Sequence, residues 1–241
     1  GWINGYRHKP EPEHLPVAIQ ALSRAGAFRD PESSGVYIGF VAGVIGANPE
    51  IAGDLIAQSF PMHPEDHWVM VRSIAHSGLP DWKHLLSEHA YRMPTRKVMI
   101  AKYIDGSLPT LNDTQAQTPP STNDKIKRLL TGAKPPIPAV DWKLEASPEL
   151  LDMLWGRFYA TGDYGPILRI VGMLPFSKDN ESVDKLTLGA MAKYTLANNS
   201  SRNPDLLEML KRSARQQPEE TAKILKQVTD AADTMQLTAI R

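Results

Sequence analysis

The chain has 241 residues, 41% of them hydrophobic, with 27 basic and 27 acidic side chains and no cysteine. That length and apolar content suffice for a real core, and the charge balance lacks the clustered Lys and Arg excess that a phosphate-tracking groove needs, which argues against a nucleic-acid partner. Without cysteine there is no disulfide, no thiolate metal site and no cysteine nucleophile.

In chain order, Trp2 and Tyr6 are expected to anchor the leading segment. A first helix is predicted from Pro12 to Ala25, with Leu15, Ile19 and Leu22 on one face and Gly26 ending it. Proline followed directly by an acid recurs along the chain, for example at Pro31-Glu32, Pro49-Glu50, Pro64-Glu65, Pro80-Asp81, Pro148-Glu149, Pro204-Asp205 and Pro218-Glu219. Proline fits the first helical position and an acid there complements the helix dipole, so these pairs read as helix starts, with Asp30, Asn48, Ser147 and Asn203 as N-caps. The starts at Pro31, Pro49, Pro64, Pro80 and Pro94 lie 14 to 18 positions apart. Each interval leaves room for one helix of about three turns and a tight connection.

The second helix, Pro31 to Gly46, is unusual. Val36 to Ile45 is apolar or glycine throughout, so no face is left for water and the helix belongs in the centre of the N-terminal half. Gly35, Gly39 and Gly43 form a smooth ridge. In a bilayer such a ridge pairs helices, but this run is too short to span one, so close backbone packing in a core is the expectation. A dinucleotide fingerprint is excluded because no strand precedes these glycines. Helices three to six follow over Pro49–Phe60, Pro64–Ser77, Pro80–Tyr91 and Pro94–Ile104, and Asp105-Gly106 stops the last.

From Ser107 to Ala146 prolines and polar residues crowd together. This stretch is predicted to be a linker or strap, with one short helix near 124–130 and Ile137, Val140 and Trp142 lying on a surface. The divisions expected are therefore an N-terminal helical half (1–106), the strap (107–146) and a C-terminal helical half (147–241).

The C-terminal half opens on SPELLDMLWGRFYATGDYGPILRIVGMLPF. Ser147 can cap, Pro148 and Glu149 start, and Leu150, Leu151, Leu154, Trp155 and Phe158 fall at helical spacing. Gly162 suits a left-handed C-terminal stop, after which Asp163 can cap a second helix bearing Ile167, Ile170, Val171 and Leu174. A helix from Val183 to Asn198 then runs through Leu186, Ala190 and Tyr194. Asn198 to Ser201 reads as a loop, and a closing pair over Pro204–Arg215 and Pro218–Met235 carries Ile224, Leu225, Val228 and Ala231 inward. The fold class is all-α, with stacked antiparallel helical hairpins of irregular, solenoid-like repeat.

The run FYATGDYGPILRI resembles a tetratricopeptide hairpin, in which a turn of the Gly-Asp-Tyr kind separates helix A from helix B. Aligned on Gly162-Asp163-Tyr164, Leu151, Leu154 and Phe158 fall at helix A core positions. Trp155, Pro166 and Ile167 depart from the pattern. The resemblance covers residues 147–176 and implies architecture alone. The whole chain is also similar to a family of all-helical proteobacterial proteins with a comparable WGRFYATGD segment, which implies a fold and no particular activity.

Candidate chemistry centres on histidine, because His63, His67, His76, His84 and His89 lie close together in sequence. His63 and His67 are spaced like metal ligands, but Pro64 starts a helix between them, so they cannot share a helical face as a zinc-protease motif requires. The expected role of the five is surface or capping. The alternative site would need His76 brought near His84, with Asp81 or Glu88 completing it. Neither a nucleophile elbow nor a phosphate-binding glycine loop is present, and the small basic groups Arg92, Arg96, Lys97 and Lys102 read as solvated helix faces. Trp155, Tyr159 and Tyr164 are the candidate lining of a groove for a peptide or small ligand, with core packing the favoured alternative for Trp155 and an equal one for the two tyrosines.

The function expected is a non-catalytic helical scaffold or adaptor for a protein or peptide partner, with no cofactor and with homo-oligomer formation left open. The alternative is an all-helical enzyme, metal-dependent or not, using the His63 to His89 segment. No transmembrane run is present. The opening Gly1-Trp2 without a methionine reads as a processed or trimmed chain, which favours an extracytoplasmic location if a signal segment preceded it and a cytoplasmic one otherwise.

Overall fold

A computed structural model describes residues 1–111 and 147–239. Among the described residues there are twelve α-helices and no strand, so the protein is all-α. The helices are α1 (Trp2–Gly5), α2 (Leu15–Arg24), α3 (Pro31–Ala47), α4 (Ala52–Gln58), α5 (His67–Ala75), α6 (Trp82–His89), α7 (Lys97–Ile104), α8 (Pro148–Thr161), α9 (Gly165–Val171), α10 (Val183–Ser201), α11 (Pro204–Ser213) and α12 (Glu219–Ala239). Most of the strap, 112–146, with its expected short helix and Trp142, lies outside the described residues.

The organising contact is between α3 and α8. Gly35 faces Glu149 and Asp152, Gly39 faces Met153, and Gly43 faces Arg157 and Ala160. Each step of four along α3 is matched by about four along α8, so the two helices run parallel. In return Gly156 of α8 faces the backbone of Val36, Gly39 and Phe40. A methyl group on Gly39 would lie 2.0 Å from the Met153 carbonyl oxygen, and one on Gly156 2.2 Å from that of Val36. Backbone meets backbone here, which no side chain larger than hydrogen permits. The glycine ridge thus packs inside the core, and its partner comes from beyond residue 146. α3 is buried continuously from Ile38 to Ile45, and Gly46 brings its C-terminal end onto the Ser77 carbonyl after α5.

One hydrophobic cluster runs through residues on both sides of 112–146, including Leu15, Ile38, Ile74, Leu154, Ile167, Leu188 and Ile224. The leading segment docks on it as expected: the rings of Trp2, Tyr6 and Phe40 meet edge to face at 5.1–5.4 Å.

Several local expectations need correction. Proline stands at the first helical position in α3, α8 and α11, but Pro12, Pro64 and Pro94 open single 3₁₀ turns ahead of α2, α5 and α7. Such turns commonly lead into α-helices. Pro49 and Pro80 lie in turns, and α4 and α6 begin after them at Ala52 and Trp82. Asp30 and Ser147 cap as expected, accepting from the N–H groups of Glu32 (3.0 Å) and Leu150 (3.1 Å). Asn48 instead closes α3, its Nδ2 donating to the Val44 carbonyl at 2.8 Å. At Asn203, Oδ1 accepts from Arg7 at 2.7 Å rather than from the helix it precedes.

The larger corrections concern α10. It continues through the expected loop to Ser201, because Ser200 and Ser201 turn their hydroxyls onto the Leu196 and Asn198 carbonyls and Ser200 is buried against the core. Its rotation also differs. Gly189 rests on the backbone of the 3₁₀ segment Leu174–Lys178, where a methyl would come 2.1 Å from the Ser177 nitrogen. That contact turns Leu188, Ala192 and Leu196 inward and leaves Val183, Leu186, Ala190 and Tyr194 facing out.

Candidate functional site

Of the three aromatic candidates for groove or core, two are core, as favoured for Trp155. Trp155 is 3% exposed and its Nε1 donates to Thr195 Oγ1 at 3.0 Å; Tyr159 is 8% exposed and its hydroxyl donates to Asn199 Oδ1 at 2.8 Å. Both polar atoms are satisfied by α10, which is what a buried Trp or Tyr needs. Burial pushes the Tyr159 phenol up. Tyr164 alone reaches the surface, 37% exposed and stacked on Phe158 at 6.0 Å. Asn199 is the partner that sequence reasoning missed, since it fell in the expected loop.

The histidines also divide. His63 and His84 are exposed, but His67, His76 and His89 are buried, which corrects the expectation of surface or capping roles. His76 is 1% exposed, meets the Tyr103 ring edge to face at 5.8 Å, and accepts the Leu111 N–H at Nδ1 (3.0 Å). Desolvation, followed by the positive charges of Arg72 and Arg157, pushes its imidazole down to about 3, so it is neutral in the fold. With Nδ1 accepting, the proton is assigned to Nε2. Desolvation likewise pushes His67 and His89 down. His76 and His84, the alternative metal pair, are thus one buried and one exposed, and among the described residues no three His, Asp or Glu side chains are grouped to hold an ion.

One arrangement with room for a ligand lies where the parallel α3 and α8 begin. Their N-terminal ends flank a cavity of about 920 Å³, walled by Phe28, Trp68 and Met191 and bordered by Arg29, Glu32, Glu149 and Asp152. Glu32 and Glu149 occupy first turns, where an acid is favoured by the helix dipole. The two nearby cations are already engaged. Arg72 forms an ion pair with Glu149, and Arg29 lies 3.3 Å from Glu65 and 3.8 Å from Asp66. Glu32 and Asp152 have no ion-pair partner among the described residues. Burial first, and then the charge of Glu149 one turn away, pushes the Asp152 carboxyl up to about 6. The groove therefore carries more negative charge than its own cations offset, beside aromatic and thioether surface.

Neither Arg72 nor Asp152 was singled out in the sequence. A signal existed for Arg72, which is the only charged residue in the apolar stretch His67–Ala75 other than the histidine that opens it. A cation there needs a partner. None existed for the groove itself, which depends on a parallel pairing of helices far apart in the chain.

Met191 connects the groove to the outer face of α10, since Thr187 and Tyr194 adjoin it on the helix surface at i−4 and i+3. On that face Val183 is 78%, Leu186 42% and Tyr194 65% exposed, and Ala190 lies between them. No described helix is long and apolar enough to cross a membrane. Fold and surface together define an all-α protein with an acidic, aromatic-walled groove beside an open apolar helix face. No family model, curated protein or solved structure matches the chain.

Proposed function

We propose that this chain is a non-catalytic helical scaffold that docks a protein partner along the outer face of α10 and into the groove between the starts of α3 and α8. The observation that carries the reading is the α10 stripe. Val183, Leu186, Ala190 and Tyr194 stand at i, i+3, i+7 and i+11, a single helical face about 16 Å long at the helical rise. Isolated exposed apolar residues are ordinary, but a contiguous stripe on a helix whose opposite face is already buried is the mark of a binding surface. The adjoining groove sets the partner's chemistry: an apolar segment carrying a basic side chain, whose charge would offset Glu32 and Asp152.

The turn after α8 supports the same reading. The α8 helix ends on Gly162 in the left-handed conformation, Asp163 Oδ1 accepts the Gly165 N–H at 3.0 Å, and α9 follows at once. A turn of this kind is what the tetratricopeptide resemblance of the run implies, and stacked hairpins of that family serve as docking scaffolds.

The test is a photo-crosslinking residue placed at position 194 of the full chain and irradiated in an extract of the native host. A single dominant adduct is expected, joined through a segment that contains Lys or Arg and lost on Glu32→Lys substitution. Crosslinks spread over many proteins, unchanged by Glu32→Lys, would overturn the reading.

A further inference from the structure

We propose that docking in the groove is proton-coupled: a partner's ammonium or guanidinium group and a proton compete for the Asp152 carboxylate, so acidification releases the partner. The inference rests on the docking surface proposed above and adds its regulation.

Packing between α3 and α8 holds Asp152 in place. It sits on the second turn of α8, and the close approach of α3 brings its Cβ to 2.8 Å from where a Cβ on Gly35 would stand. Its stem is thereby fixed at the edge of the groove and its carboxylate is partly withdrawn from water. Around it, α8 itself presents Glu149, and α3 presents Glu32. Arg29, in the turn before α3, is turned toward Glu65 and Asp66. From α5 comes Arg72, bound to Glu149, with Tyr103 of α7 beside it, while Trp68 of α5 and Met191 of α10 bring no charge.

The cations at the groove thus have carboxylates of their own, whereas Asp152 has Glu149 one turn away and shares the groove lining with Glu32. A half-buried carboxylate so placed holds a proton more tightly than one in water. Burial and Glu149 raise it to about 6, close enough to neutrality for the competition to operate under mild conditions. When a cation enters, attraction reverses the balance: the carboxylic acid loses its proton to solvent and the carboxylate pairs with the cation, with up to one proton released for each cation bound. The carboxylates are not grouped to hold a metal ion, and the aromatic wall suits an organic cation, for which contact with a ring face is also favourable.

The probe is a capped tri-arginine peptide, whose own charge does not change over the range used, titrated into the full chain and followed by NMR. Shifts at Glu32, Trp68 and Met191 report occupancy of the groove. Between pH 7.5 and pH 5.0 its affinity should fall by about tenfold in the native chain, as expected one unit below the carboxyl midpoint. In Asp152→Asn it should change by less than about twofold, which separates Asp152 from the exposed histidines. The carboxyl carbon of Asp152, followed without peptide, should titrate well above the ordinary aspartate range. Groove binding with the same affinity at both pH values, or an ordinary Asp152 titration, would overturn the proton coupling and leave the docking surface standing. Failure of the peptide to perturb Glu32, Trp68 and Met191 at any pH would overturn both.

Discussion

α3 and α10 are both helices with apolar residues on more than one face, and the fold treats them in opposite ways. In α3 the surplus is closed from within: one stripe of glycines admits the α8 backbone and, at its C-terminal end, the chain after α5, and no residue from Ile38 to Ile45 reaches water. In α10 one glycine, Gly189, seats the inner face, and the outer face with Val183, Leu186 and Tyr194 stays open. Apolar content alone does not say whether a helix is filled by its own chain or by another. What distinguishes the two is how far neighbouring segments cover the faces that the glycines do not seat.

The largest effect of a single substitution is expected in α3. Gly39→Ala adds one methyl, yet that methyl meets the Met153 peptide group, so whole helices rather than a flexible side chain must move. The expected loss of stability in urea unfolding exceeds about 3 kcal/mol, and Gly39→Leu should prevent folding. A neutral Gly39→Ala would mean that α3 and α8 are not in backbone contact.

A smaller effect comes from the buried imidazole behind the crossing. His76 is held down to about 3, below the ordinary 6.5 that it regains on unfolding. Its contribution is therefore complete above pH 6.5 and is lost as pH falls from there toward 3, because only the unfolded chain takes up the proton. Linkage gives a slope of up to about 1.4 kcal/mol per pH unit. His67 and His89 act in the same direction, and Asp152, raised rather than lowered, acts in the opposite one between about 6 and 4. His76→Gln, which can still accept the Leu111 N–H, should flatten the fall in stability between pH 6.5 and pH 5. An equal slope in the variant would place His76 in contact with water.

Much of the framework was legible in the sequence, and the reason lies in local chemistry. Ser147, Pro148 and Gly162 announce the two ends of α8 through capping and backbone preference, and Gly35, Gly39 and Gly43 announce a close approach because only glycine permits one. What could not be read depends on long-range packing. The partner of the ridge, the rotation of α10 about its axis and the burial of His67, His76 and His89 are settled by contacts between distant segments. Trp155 and Tyr159 stayed open between groove and core because an aromatic side chain with a polar atom suits an interface and a wet core alike; Thr195 and Asn199 decide for the core. The groove was hidden for the same reason, since Glu32 and Asp152 line one cavity only because α3 and α8 run parallel.

The smallest expected change in stability tests the central claim most directly. Tyr194→Asp places a charge in the middle of the open α10 stripe, where the side chain is 65% exposed. If that stripe is a surface kept for another protein, the variant should unfold within about 0.5 kcal/mol of the native chain, as ordinary surface substitutions do, and should lose the partner that immobilised native chain retains from its host. A variant that retains the same partner, or one that unfolds far more readily than the native chain, would contradict the account.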